Sequence, residues 1–89
     1  MTGERFPVGS TMLFCPGYEA GLVEYEVRIT GWHITEVYRV RAVVTKIIYR
    51  NPMGHARARH GLRTDVAGLD SEFFPLLRTP KEIEDYLAT

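Results

Sequence analysis

The stretch LVEYEVRIT, residues 22–30, alternates apolar and polar side chains without a break after its first residue. Val23, Tyr25, Val27 and Ile29 fall on one side, and Glu24, Glu26, Arg28 and Thr30 on the other. Only a strand with one buried face satisfies a period of two. A second run, EVYRVRAVVTKIIYR at 36–50, is rich in β-branched residues and also reads as strand. Its pattern changes partway. Tyr38, Val40, Ala42 and Val44 oppose Arg39 and Arg41, but Val43, Ile47 and Tyr49 then take the formerly polar side. Either a bulge near Ala42–Val44 reverses the faces, or the second half of the strand is covered on both. In a small barrel such a long strand bends and serves two sheets.

The two runs predict a hairpin. Placing Thr30 opposite Thr35 leaves residues 31–34 as a loop of ordinary length. Glu26 then faces Arg39 and Glu24 faces Arg41, while Val27 faces Tyr38 and Tyr25 faces Val40, so that charge meets charge and apolar meets apolar.

The rest of the chain adds three shorter expected strands and a helix. PVGSTMLFC (7–15) reads as a first strand, followed by a loop at 15–21 carrying Pro16-Gly17. Asn51-Pro52-Met53-Gly54 has the composition of a turn, leading into HARARHGLR (55–63) as a strand. Pro75 restricts EFFPLLR (72–78) to an edge strand or a short irregular pass. Thr79, Pro80 and Glu82 have the cap, first-turn and capping-box positions of a helix over 79–88, whose Ile83, Tyr86 and Leu87 stripe needs a sheet to dock on. With 89 residues and no linker or repeat, the expected architecture is one mainly β domain: a small five-stranded antiparallel barrel with a short docked C-terminal α-helix.

The opening RFPVGSTMLF resembles the first strand of small barrels of the Src-homology and PUA-like types, with Ser10 where those usually carry an acid. Gly31-Trp32 followed by Tyr38-x-Val40 resembles the small-barrel dihydrofolate reductases carried on plasmids. Their Val-Gln-Ile-Tyr run is absent, so these likenesses imply a barrel and carry no activity with them.

Catalytic constellations are not evident. Ser10 and Ser71 lack a nucleophile-elbow setting, and no glycine-rich phosphate loop is present. Cys15 is the only cysteine, which excludes an internal disulfide, fits a reducing cytoplasm and reads as a structural thiol. His55 and His60 are five apart, on opposite faces of a strand, and cannot share a metal with His33. No apolar run approaches a membrane span or a secretory signal, so no membrane partner is expected. The expected class is a non-catalytic binding module without a cofactor.

Charge carries the functional signal. The net charge is zero, but residues 1–36, 37–64 and 65–89 carry −3, +7 and −4. Read as a strand, HARARHGLR turns Ala56, Ala58, His60 and Leu62 inward and His55, Arg57, Arg59 and Arg63 outward. Across the turn, Arg50, Ile48 and Lys46 would face His55, Arg57 and Arg59. The candidate site is therefore Lys46, Arg50, His55, Arg57, Arg59 and Arg63, with Trp32 or Tyr49 to stack on a base. Three occupants compete for it: phosphates of DNA or RNA, an acidic protein surface met by a small adaptor or inhibitor, or the acidic 65–89 segment folded back. Trp32 alternatively closes one end of the barrel. An edge strand leaves room for a homodimer.

Overall fold

The computed structural model describes residues 6–33, 35–76 and 79–88, with the backbone alone at 82, 83, 86 and 87. Its elements are β1 (Thr11–Phe14), β2 (Val23–Trp32), β3 (Val40–Tyr49), α1 (Gly54–Arg57), β4 (Asp65–Gly68), β5 (Phe73–Pro75) and α2 (Pro80–Leu87). The five strands form one antiparallel sheet in the order β4-β3-β2-β1-β5. The sheet is open: β4 and β5 are its two edges, and among the described residues they do not pair with each other. The docking stripe expected on α2 involves side chains outside the described residues.

Burial follows the alternation of β2. Val23, Tyr25, Val27 and Ile29 are each at most 1% exposed, and Val40, Ala42 and Val44 of β3 lie against them. Phe14 stacks on Phe73 with ring centroids 4.7 Å apart, joining β1 to β5, and Phe6 meets Phe73 edge-on. Pro75 sits on an edge strand, where the missing N–H costs the ladder least.

The β2–β3 hairpin differs from the expected register. Glu26 lies opposite Lys46, Glu24 opposite Ile48 and Tyr25 opposite Ile47, while Trp32 faces Val40. The Glu26–Arg39, Glu24–Arg41, Val27–Tyr38 and Tyr25–Val40 pairings are therefore corrected, and the connection runs through 33–39. The reason is overlap. The expected register leaves most of VVTKIIYR without a partner, whereas the observed one pairs β3 along its whole length. Both pair Val23, Tyr25 and Val27 with apolar residues, and on the other face the observed register sets Glu24 against Ile48 and Arg28 against Val43, so charge pairing favoured the wrong one. The expected bulge falls just beyond its predicted place. Thr45 is the extra residue between Glu26↔Lys46 and Val27↔Val44, and it returns Ile47 to the core side. A second shift, at Thr30, lies between Ile29 and Gly31.

The larger correction concerns 55–63, which is not a strand. Asn51 Oδ1 accepts from Met53 N at 2.9 Å, closing a turn that leads through Pro52 into α1, Gly54–Arg57. Alanine and arginine favour helix over sheet, and this local preference prevails over the alternation. Ala56 and Leu62 are exposed rather than inward, while Ala58 and His60 are half-buried. The pairing with β3 passes to the short DVAG segment, β4, which the sequence pattern did not single out. α1 sits close against β2. A Cβ on Gly54 would strike Leu22 O and lie 3.1 Å from Val23 Cγ2. Gly54→Ala is therefore expected to cost about 1–3 kcal/mol in urea unfolding, as overpacking does. A change below about 0.5 kcal/mol, within the range of ordinary surface substitutions, would show that this approach is not tight.

Candidate nucleic-acid interface

The irregular segment after α1 is held by a buried carboxylate. Glu19 ends a 3-10 turn at Gly17–Glu19 and is 1% exposed. Its Oε1 accepts from Tyr25 Oη at 2.7 Å and from Arg59 N at 2.7 Å. Tyr25 Oη in turn accepts from Arg59 N at 3.2 Å and His60 N at 3.3 Å. Backbone that has left the ladder must find acceptors elsewhere, and Glu19 with Tyr25 supplies them. Oε2 of Glu19 has no hydrogen-bond partner among the described residues. Glu72 secures the loop from the other side, accepting from Gly17 N at 3.0 Å and Leu69 N at 2.9 Å.

This anchoring distributes the expected site residues over separate places. Arg59 lies over the Tyr18 ring, 4.6 Å from its centroid, and His60 Nε2 is 2.9 Å from Tyr18 Oη. His55 stacks on Tyr49 at 3.9 Å with 18° between the planes. With Arg50, Asn51 and Pro52 these two line an open cleft at the end of β3. Arg63 lines a different groove together with Arg28, Val43, Val44, Thr45 and Leu62. Lys46 and Arg57 are exposed, on the bulged half of β3 and at the end of α1. Trp32 is not at a loop tip but in the last position of β2, half-buried opposite Val40, and it lines neither of these clefts.

Ion pairing also departs from expectation. Arg39 pairs with Asp70 at 3.6 Å and Arg41 with Glu36, which frees Glu24 to bind Arg50 at 2.8 Å. Among the described residues, Lys46, Arg57, Arg59 and Arg63 have no carboxylate within salt-bridge distance. No described acid from 65–89 pairs with them or with Arg50. Arg28, left out of the expected site because it lies in the acidic first third, is likewise unpaired and exposed. No signal short of the sheet register would have placed it beside Arg63.

Cys15 is half-buried, and desolvation pushes its thiol up to about 11, with Glu24 adding and Arg50 opposing. A thiol held in its protonated form is a poor nucleophile. Among the described residues no group of His, Cys, Asp and Glu is placed to hold a metal ion, and no helix is long and apolar enough to cross a membrane. No family model matches the chain, and no curated protein or solved structure matches it at a significant level. The fold and site define a mainly β, single-sheet domain with cations and aromatic rings exposed around one irregular segment.

Burial pushes the Tyr25 phenol up to about 12. The hydrogen bond to Glu19 adds to this, and the His60 and Arg59 amides oppose it. The folded pKa lies above the ordinary 10.0, so the contribution to stability is present below pH 10 and lost as pH rises through about 12. The urea midpoint of the wild type is therefore expected to fall more steeply over this window than that of Tyr25→Phe. Parallel curves would contradict the assignment.

Proposed function

We propose that the protein is a non-catalytic module that binds single-stranded nucleic acid through the exposed cations and rings of residues 46–63. The open five-stranded sheet is read as a small barrel left unclosed, with α2 docked against it. The observation that carries the function is the Tyr49–His55 stack standing exposed beside Arg50. This flat aromatic surface offers a base its face, and because Glu24 already neutralises Arg50, the phosphates are met by the unpaired cations of the same segment. Lys46, Arg57 and Arg59 supply these phosphate contacts. The acidic tail supports this reading by leaving them unpaired among the described residues. Single strands fit better than duplex because the stacking surface requires an unpaired base. The reading is independent of the sugar and takes RNA or DNA.

A second reading, an adaptor docking on an acidic protein surface, draws on Met53 and Leu62, which are 54% and 59% exposed near the arginines. Apolar side chains among arginines suit a protein interface.

Fluorescence anisotropy with labelled single- and double-stranded oligonucleotides at low and moderate salt separates the readings. Single strands are expected to bind more tightly, and affinity is expected to fall with salt in proportion to the phosphates neutralised. Tyr49→Ala should weaken binding about 5- to 150-fold, the range for one stacked base. Arg57→Ala/Arg59→Ala should flatten the salt dependence. Absence of binding at low salt overturns the proposal. Recovery of a stoichiometric acidic protein partner under that condition supports the second reading.

A further inference from the structure

Three irregular features converge on the groove lined by Arg28, Val43, Val44, Thr45, Leu62 and Arg63. The first is the β3 bulge, whose extra residue, Thr45, donates its hydroxyl to Glu26 O at 3.0 Å. Bulges recur beside functional sites because they re-aim a side chain. The second is Arg63 itself. Its φ of +63° makes it the only described non-glycine residue in the left-handed region. Glycine holds that conformation without the strain an L side chain suffers. Arginine is kept there because the turn is clamped onto β3: Arg63 N donates to Val44 O at 2.8 Å, and Val44 N donates to Thr64 O at 3.0 Å. The third is charge. Two guanidinium groups line one groove, and neither has a carboxylate within salt-bridge distance among the described residues.

Two like charges in one groove repel in the empty protein, and an anion between them removes that cost. Guanidinium forks match phosphate oxygens in geometry. Val43 and the exposed Leu62 add an apolar surface of the kind a sugar or base edge covers. The geometry points to a phosphate seat formed by Arg28 and Arg63, a second contact point for the nucleic-acid backbone besides the Tyr49–His55 surface. This inference rests on the proposed nucleic-acid reading and adds to it a residue, Arg28, from outside the basic segment. Two acids border the groove. Glu26 Oε1 lies 3.4 Å from Thr45 Oγ1, and Asp65 is on the strand position opposite Val43. Neither pairs with Arg28 or Arg63 among the described residues, and the negative charge of Asp65 opposes an anion in the groove.

Arg63→Gly tests the seat directly, because it removes the guanidinium while giving the left-handed position the residue that suits it. Its melting temperature should equal or exceed that of the wild type. Its affinity for a single-stranded oligonucleotide should fall about 5- to 10-fold at low salt, and the slope of log affinity against log salt should drop by about 0.7, one phosphate's share for single strands. Arg28→Ala should give the same loss, the double variant little more, and Asp65→Asn a gain. Titration of the wild type with inorganic phosphate should shift the Arg28 and Arg63 side-chain NMR signals. If Tyr49→Ala loses binding while Arg63→Gly and Arg28→Ala keep both affinity and slope, the seat is wrong and the wider reading stands. If the wild type binds no oligonucleotide, the backbone-contact assignment falls with the wider reading.

Discussion

The carboxylate of Glu19, buried beneath residues 59–60, is the constraint on which the rest of the molecule turns. A segment that leaves the sheet brings unpaired amides with it, and burying those amides without acceptors would cost about 1–3 kcal/mol each. Glu19 and Tyr25 receive two of them, at Arg59 and His60. Burying a carboxylate is itself expensive, and the hydrogen bonds to Oε1 offset part of that cost, Oε2 having none among the described residues. What results is a basic segment fixed by its backbone rather than by its side chains. The guanidinium groups are consequently left outside, where Arg59 settles on Tyr18 and the others meet solvent. Ordered backbone beneath exposed charge fixes where along the surface the cations of residues 57–60 emerge.

Irregular backbone performs the same service elsewhere in the sheet. The bulge at Thr45 changes which residues of β3 face the core, so that Val44 and Ile47 both pack inward although they are three apart. The turn ahead of β4 then closes onto Val44 and brings Arg63 next to Arg28, a residue distant in sequence and opposite in local charge context. The acids are similarly redistributed. Glu24 reaches Arg50, Glu36 reaches Arg41 and Asp70 reaches Arg39, which places most of the neutralisation outside 57–63. A chain with no net charge thereby keeps a locally positive surface.

Much of the sheet was legible in the sequence, because strict alternation in 22–30 leaves one choice of core face and Pro75 excludes a central strand. The change of face within 36–50 was legible for the same reason, though the pattern left a bulge and two-sided burial both open. The hairpin register was not, since charge pairing across the polar face favoured the shorter register and only the extent of pairing along VVTKIIYR favours the observed one. HARARH misled because its period of two imitates a strand, while Asn51-Pro52 and the alanines favour a helical turn. DVAG is too short to announce itself as β4. Glu19 lies in the expected 15–21 loop, and its burial arises from Tyr25 and residues 59–60, contacts made across 6 and 40 positions. Of the candidate site, Arg50, His55 and Tyr49 do converge, whereas Trp32 does not join them and Arg28 was missed.

Amide hydrogen exchange at Arg59 addresses the anchoring most directly. The N–H of this residue belongs to no strand or helix, so slow exchange there can come only from the acceptor below it. Protection comparable to that of the β2 amides is the predicted result. Exchange at the rate of an unstructured peptide would contradict it, and would mean that the basic segment is not held by Glu19 at all.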